Sequence, residues 1–318
     1  MRSAIYTDLW GNDMIAHSTW LIAACLGGQG ALPADQTHSR AFDRPPLQQV
    51  VDGEDKRNLP KNIALSRRAY DFGIYFWRTG DLDRARGALD VALRFDPNYA
   101  LAYAGRATVR SQRGDHQGAI EDASRAIELD PKMPQAFYNR GVAYGRLRNW
   151  EKATADYTEA LGLAPTFRSG LAHHNRGSAL MAQGKLEEAI KDFTRSIELN
   201  PKNAVSYFNR SLALERDGQM EQALGDLNSV LELAPNFMEA HHRRALLFLK
   251  KGLEREALED LNIAIKLYPK NVVAVADRAL LHERLGNKDA ALLDSKLVSE
   301  MSGQDPRTIN RERHLSPY

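Results

Sequence analysis

The side chains best suited to chemistry cluster in two short stretches of the sequence. Residues 173–184 read HHNRGSALMAQG, and residues 241–252 read HHRRALLFLKKG. Histidine is the commonest metal ligand in proteins, and arginine binds phosphate with a fork of donors. Each stretch could therefore form half of a metal or phosphate site. Whether the two halves meet depends on the secondary structure that holds them.

Composition narrows the functional classes. The 318 residues carry a formal charge of +2, whereas a nucleic-acid-binding protein needs a concentrated basic surface. The only cysteine is Cys25, which excludes an internal disulfide and a thiolate metal site. The sequence contains no nucleophile motif, glycine-rich phosphate loop or metal-spaced His/Glu pair. We therefore predict a protein that is not an enzyme, has no cofactor and binds no nucleic acid.

The first sixty residues differ from the rest. Residues 14–34 contain no Asp, Glu, Lys or Arg, and residues 20–26 form an apolar run that is shorter than the ~20 residues of a transmembrane helix. Its length matches the apolar region of a signal peptide. Residues 22–25 (IAAC) resemble the lipobox of bacterial lipoproteins, which would lipidate Cys25 and attach the protein to a membrane. We favour export to the periplasm or cell envelope; the alternative is a cytoplasmic protein with a misassigned amino terminus.

A repeat fills most of the chain after this segment. A Leu-x-Pro motif or a close variant recurs at intervals of 34, 34, 36, 34 and 34 residues, at Pro97, Pro131, Pro165, Pro201, Pro235 and Pro269. Between prolines, two stretches of about 14 residues have the apolar spacing of helices. A glycine separates the two stretches in six of seven copies, with Arg148 as the exception, and a constant alanine follows five residues later. The pattern predicts pairs of helices that bury their apolar faces by stacking on neighbouring pairs.

These features resemble the tetratricopeptide repeat family over roughly residues 64–303. The resemblance implies an all-α fold: a right-handed superhelical α-solenoid of seven antiparallel helix pairs. We predict a leader at 1–34, a polar linker at 35–60 and a carboxyl-terminal tail at 304–318. Between linker and tail, residues 61–303 hold seven repeats, at about 66–99, 100–133, 134–167, 170–203, 204–237, 238–271 and 272–303.

Within this frame the histidines belong to the pattern. His173 and His241 stand at position four of their repeats, where other repeats carry Tyr103, Phe137 and Tyr207, so we place both in the helix-packing seam. Adjacent helical residues point about 100° apart, so His173 and His174 cannot both ligate one metal ion. We therefore predict no metal site.

An arginine and an aspartate recur 16 residues apart in six repeats. Repeat one lacks both, with Phe72 and Ala88 in their places. We predict that each arginine, on the first helix, pairs with the aspartate on the second helix of the same repeat. The predicted pairs are Arg106–Asp122, Arg140–Asp156, Arg176–Asp192, Arg210–Asp226, Arg244–Asp260 and Arg278–Asp294.

The resemblance to tetratricopeptide repeats implies that the first helices line a concave groove and that repeat positions five, six and thirteen point into it. Position six reads Asn139, Asn175 and Asn209 in three consecutive repeats, which resembles the asparagine ladder with which some members hold a peptide by its backbone. The alternative is that these asparagines are solvated and only reflect duplication of repeats. Other candidate groove residues are the aromatic side chains and histidines of position five and the basic residues beside them: Tyr138, His174, Phe208, His242, Arg243, Arg146 and Arg216.

We therefore predict a non-catalytic scaffold that binds a protein or an extended peptide with some acidic character in its groove. Position five carries no lysine in any repeat, so the carboxylate clamp with which the family holds chaperone tails is not expected. The alternative is an accessory or assembly subunit of an enzyme complex, such as one in the cell envelope, that contacts folded partners through its convex face and ends. The apolar second helix of repeat seven is expected to be covered by residues 304–318 or by another protein.

Overall fold

The computed structural model describes residues 59–315, and every regular element in this part of the chain is an α-helix. These residues divide into two compact bodies, an N-terminal body of residues 59–200 and a C-terminal body of residues 201–315. The predicted leader, Cys25 and most of the predicted linker lie outside the described residues.

The N-terminal body contains four helix pairs. In each pair the two helices are joined by a tight turn and pack against each other. The pairs are α1 (Leu59–Arg78) with α2 (Leu82–Phe95), α3 (Ala100–Gln112) with α4 (His116–Leu129), α5 (Pro134–Arg146) with α6 (Trp150–Leu163), and α7 (Ser169–Ala182) with α8 (Leu186–Leu199).

The C-terminal body contains three further pairs and one additional helix. The pairs are α9 (Ala204–Arg216) with α10 (Met220–Leu233), α11 (Met238–Lys250) with α12 (Glu254–Leu267), and α13 (Val272–Arg284) with α14 (Lys288–Ser302); the additional helix is α15 (Pro306–Leu315). Seven helix pairs in the predicted order confirm the all-α fold class.

The turn inside each pair needs a left-handed residue. Six repeats place glycine there, with φ between 75° and 85°, because glycine has no Cβ to clash in this conformation. Repeat three has Arg148 instead, and it adopts the same conformation with φ of 58°. The turn geometry is therefore a property of the repeat, and repeat three keeps it at a conformational cost.

Two residues 16 positions apart decide how closely the helices of a pair approach. The glycine of α5 faces an aromatic ring: a Cβ added to Gly141 would lie 3.0 Å from Tyr157. In α7, a Cβ on Gly177 would lie 3.1 Å from Phe193. Where the residue 16 positions later is smaller, as at Ala123, the first helix carries Ala107 instead of glycine. In α5 and α7 a glycine on the first helix thus makes room for an aromatic ring on the second.

Two helices extend beyond the predicted repeat boundaries. The linker was expected to reach residue 60, but α1 begins at Leu59 and is 20 residues long, with Pro60 in its first turn, where a missing N–H is tolerated. The early part of α1 is held by Ser66, whose hydroxyl donates to the carbonyl oxygen of Ala92 at 2.8 Å. The predicted tail contains a helix, α15.

The additional helix α15 covers part of the last pair. It begins at Pro306, 34 residues after the start of α13 at Val272, which is the period of the repeat. Its Ile309 is buried in a cluster with Val275, Ala276 and Val298. Helix α15 thus contributes to the cover through Ile309, but Leu292 and Leu293 of α14 remain 72% and 68% exposed.

Candidate functional site

The structure brings together all six arginine–aspartate pairs. In every pair the arginine Nε donates to Oδ2 of the aspartate, and Nη2 donates to Oδ1, at 2.6–2.8 Å. The aspartates are buried and the arginines are partly exposed, as in the pair Arg140–Asp156 with 23% and 7% exposed side chains. Two parallel hydrogen bonds between ionised groups fix both side chains, so these arginines stabilise the helix pairs.

The third nitrogen of the same guanidinium makes a contact that the sequence analysis did not anticipate. In five repeats Nη1 donates to a side-chain oxygen on the second helix of the preceding repeat. The donor and acceptor atoms are 2.7–3.2 Å apart. The five contacts are Arg106–Asp90, Arg140–Ser124, Arg176–Thr158, Arg244–Asn228 and Arg278–Asn262. One arginine therefore ties its own helix pair together and ties that pair to the one before.

The two position-four histidines join these pairs. His173 Nδ1 lies 2.8 Å from Asp192 Oδ1, and His241 Nδ1 lies 2.8 Å from Asp260 Oδ1. Burial opposes ionisation of Asp192, but hydrogen bonds from Arg176 and His173 outweigh it and lower the carboxyl pKa. At Asp156, which has no histidine partner of this kind, burial outweighs Arg140 and raises the pKa. The seam histidine thus adds a second donor to the aspartate.

The position-five side chains lie inside the bodies. Tyr138, His174, Phe208 and His242 are 7%, 2%, 6% and 2% exposed. Burial lowers the pKa of His174 to about 4, and its ring contacts the edge of Phe193 at 5.6 Å between centroids. His242 Nε2 lies 2.7 Å from Asp277 Oδ2, and both side chains are buried. These four side chains belong to first helices and are buried within their own bodies, so they do not form an exposed aromatic strip.

Two of the three ladder asparagines bridge neighbouring first helices of the N-terminal body. Asn139 Nδ2 donates to the Ala104 carbonyl oxygen at 2.9 Å and to Thr108 Oγ1 at 2.8 Å. Asn175 Nδ2 donates to the Tyr138 hydroxyl at 3.1 Å. Both asparagines are half-buried, and within residues 59–315 these bonds use only the amide nitrogen. The amide oxygens are therefore left as acceptors along the first helices.

Asn209 lies in the C-terminal body and is 8% exposed. It is thus more buried than Asn139 and Asn175, so it presents less of its amide to a ligand than the other two.

A cleft of about 260 Å³ opens between α9 and α11 in the C-terminal body. Its lining contains three basic side chains around a single carboxylate. Glu215 Oε1 accepts from Lys250 Nζ at 2.6 Å, and its Oε2 lies 3.7 Å from Arg243 Nη1. The remaining lining residues are Leu212 and Arg216. The cleft therefore has an excess of two positive charges on an exposed surface of the first helices.

Of the predicted basic groove residues, Arg216 and Arg243 come together in this cleft, whereas Arg146 lies apart in the N-terminal body. Arg146 is exposed. The pKa of His116 is lowered mainly by burial of the imidazole and also by the positive charge of Arg146. The sequence analysis missed Glu215. Its position directly before a basic residue of the groove edge was the available signal.

Comparison with known families identifies the repeats. Sequences described as tetratricopeptide repeats match residues 134–167 and 170–203, residues 70–134 and 242–298, and residues 193–225. Together these segments cover about two-thirds of the chain and most of its helix pairs. The chain belongs to the tetratricopeptide repeat family. Members are protein-interaction scaffolds and are typically non-catalytic.

Similar proteins share the repeats over part of their length. The chain is 28% identical over 142 residues to tetratricopeptide repeat protein 6 of Homo sapiens, covering 45% of this chain and 27% of the relative. It is 28% identical over 165 residues to RNA polymerase II-associated protein 3 of Mus musculus, covering 46% and 24%. The chain thus spans about a quarter of the length of these relatives.

Solved structures of other repeat proteins share the fold. A structure of pilF from Pseudomonas aeruginosa has a TM-score of 0.58 and 19% identity, and covers 67% of this chain and 97% of that chain. YrrB, whose structure is described as a tetratricopeptide repeat protein with an unusual peptide-binding site, has a TM-score of 0.53 and 23% identity; the match covers 60% of this chain and 97% of that chain. At these identities the similarity concerns the fold alone.

Within residues 59–315, no group of three or more His, Cys, Asp or Glu side chains is arranged to hold a metal ion. In the same residues no helix is both long and apolar enough to cross a membrane.

Proposed function

We propose that the protein is a non-catalytic scaffold that binds an acidic, extended segment of a partner protein along its first helices. The observation that carries this proposal is the cleft between α9 and α11. Arg216, Arg243 and Lys250 line it together with one carboxylate, Glu215. A carboxylate on a partner would meet guanidinium and ammonium donors at a single place.

The exposure of these side chains supports binding rather than a purely structural role. Lys250 is 53% exposed, whereas its partner Glu215 is 15% exposed, so the ammonium group is accessible to a second carboxylate from a partner. The half-exposed Asn139 and Asn175 offer amide oxygens to the N–H groups of an extended backbone in the N-terminal body. Each body thus offers its own candidate contacts to a peptide.

A peptide selection tests the proposal. A random twelve-residue peptide library is selected on the full-length protein and on the double variant Arg216→Glu/Lys250→Glu. We expect the wild type to enrich peptides with Asp and Glu, and the variant to lose them in favour of Lys and Arg. The matched control, Arg255→Glu/Lys266→Glu, reverses two exposed charges on α12 and should enrich the same peptides as the wild type.

The outcomes separate the parts of the proposal. Enrichment of neutral peptides by wild type and variant alike would retain the scaffold and reject its preference for acidic segments. Failure to enrich any peptide would reject peptide binding altogether.

The exposed leucines of α14 favour a second candidate, an accessory subunit that docks a folded partner at its end. Leu292 and Leu293 are 72% and 68% exposed, and adjacent exposed apolar side chains are typical of contact surfaces. The variant Leu292→Glu/Leu293→Glu would abolish such docking while leaving peptide selection unchanged. A complex that survives this variant contradicts the second candidate.

A further inference from the structure

A second cleft lies in the N-terminal body, apart from the candidate binding surface. It has a volume of about 380 Å³ and opens where the second helices α6 and α8 flank the start of α7. The residues that line it are Thr158, Leu161, Gly162, Pro165, Ser169, His173, Arg176 and Arg195. None of its polar side chains is a carboxylate. All of them can donate hydrogen bonds, two from guanidinium groups.

The cleft coincides with the one irregular junction in the repeat. The prolines on either side of it are 36 residues apart instead of 34, and the longer loop contains Arg168 in the left-handed conformation, with φ of 46°. Its guanidinium is held 5.6 Å from the Tyr138 ring centroid and 5.9 Å from that of Phe167. A left-handed arginine persists only where its surroundings hold it, so the loop has a defined shape.

One wall of the cleft is open because of Gly162. The equivalent position is charged in all six other repeats: Arg94, Glu128, Glu198, Glu232, Lys266 and Glu300. A Cβ placed on Gly162 would meet no atom within 4 Å, so the space beside it is empty. The other repeats carry a charged side chain at this position, and in most of them it is glutamate. Repeat three lacks that side chain, which would otherwise occupy the space of the cleft.

The extra loop residues also change the bonding of His173. In repeat six, His241 Nε2 lies 2.9 Å from the carbonyl oxygen of Pro235. The matching proline of repeat three is Pro165, two residues further from its histidine, and it stands in the cleft wall with His173. No described residue forms this bond with His173 Nε2. The ring is held through Nδ1 by Asp192, and His173 lines the cleft.

We propose that this cleft binds a small oxyanion, either a phosphate or a carboxylate, carried on an apolar group. Arg195 can reach the ligand because its pair with Glu198 is an exposed contact, with both side chains 55% exposed. Arg176 and Ser169 supply further donors, and the protonated form of His173, whose Nδ1 is bonded to Asp192, supplies one from Nε2. Leu161 and Pro165 offer an apolar wall. Since Asp192 and Glu198 offset part of this charge, we expect millimolar rather than micromolar affinity.

Titration of the full-length protein with phenyl phosphate, benzoate and inorganic phosphate tests the proposal. The histidine ring signals are followed by NMR. We expect saturable shifts of the His173 signals with at least one of the two aromatic probes, and weaker binding of inorganic phosphate because it cannot use the apolar wall. A response to phenyl phosphate alone identifies a phosphate ligand, and a response to benzoate identifies a carboxylate.

Two glycine variants provide the decisive comparison. Gly162→Glu restores the residue found in other repeats and should weaken binding at least tenfold. Gly87→Glu changes another exposed helical glycine with open space around it and should leave affinity within twofold. His173→Phe, which matches Phe137 at the same repeat position, should weaken binding several-fold. Equal binding by wild type and Gly162→Glu, or shifts spread evenly over all histidines, would overturn the proposal.

Discussion

Arg140 and Asp156 face each other side-on, with Nε 2.8 Å from Oδ2 and Nη2 2.8 Å from Oδ1. The carboxylate is buried, so the charge and hydrogen bonds of this arginine replace most of the water contacts that it loses. Repeat one has no such ion pair. Phe72 and Ala88 occupy the two equivalent positions and are both buried. The two residues thus appear or disappear together.

Replacing only one partner of this pair should therefore be worse than replacing both. Arg140→Phe strands the buried Asp156 and should lower the free energy of unfolding by about 3 kcal/mol. Arg140→Phe/Asp156→Ala recreates the residues of repeat one and should lower it by about 1 kcal/mol or less. Urea denaturation followed by circular dichroism measures both. If the double variant is as unstable as the single one, the stranded charge is not the cause.

His174 should make the protein less stable in mild acid. Its pKa is lowered to about 4 by burial, against about 6.5 in an unfolded chain. Between these values the unfolded state binds a proton that the folded state does not, so stability falls as pH decreases from 6.5 to 4, by up to about 3 kcal/mol.

His174→Phe, which matches Phe208 at the same repeat position, removes this titration. Unfolding free energies measured at pH 7 and pH 4.5 should show a smaller loss for the variant than for the wild type. The same loss in both proteins would mean that other groups account for the acid sensitivity.

Two glycine-to-alanine substitutions should have opposite signs. At Gly177 the new Cβ would lie 3.1 Å from Phe193 and 3.3 Å from the Ala189 carbonyl oxygen, and this crowding should cost about 1 kcal/mol net of the gain in helix propensity. At Gly87 nothing lies within 4 Å, so alanine should stabilise the helix by about 0.5–1 kcal/mol. Thermal unfolding of the two variants decides the matter; stabilisation by both would show that α7 and α8 can move apart freely.

Arg148→Gly should stabilise repeat three. Arg148 holds a left-handed conformation with φ of 58° where the six other repeats have glycine, and a residue with a Cβ loses about 1–2 kcal/mol there. We expect a gain of about 1 kcal/mol, since the arginine side chain also gives up its contacts. Gly114→Ala, at the same turn of repeat two with φ of 85°, is the converse variant and should lose a similar amount. A destabilised Arg148→Gly would show that those contacts dominate.

The helix pairs could be predicted because the period fixes them. The proline spacing, the turn glycines and the constant alanines each act within one repeat, so a single sequence contains enough copies to reveal the rule. The arginine–aspartate pairs followed from the same comparison, because repeat one lacks both charges together. Contacts within a single repeat can therefore be predicted from the sequence.

Contacts between successive repeats were harder to predict. His242 reaches Asp277 in the next repeat, and Asn139 reaches Ala104 in the previous one. Such contacts depend on the offset between stacked pairs, which the period alone does not give. For the same reason the position-five side chains, expected at the surface of a groove, are buried between first helices, and the cluster around Glu215 was not foreseen.

The Nη1 contacts fix the register between successive repeats. In five repeats a guanidinium donates to a side-chain oxygen on the second helix of the preceding repeat, 16 residues earlier at four junctions and 18 residues earlier between Arg176 and Thr158. The two extra loop residues change this number but not the contact, because they lie between helices. Deleting one whole repeat inside a body would thus rejoin a donor to an acceptor, whereas deleting a single helix would leave both without a counterpart.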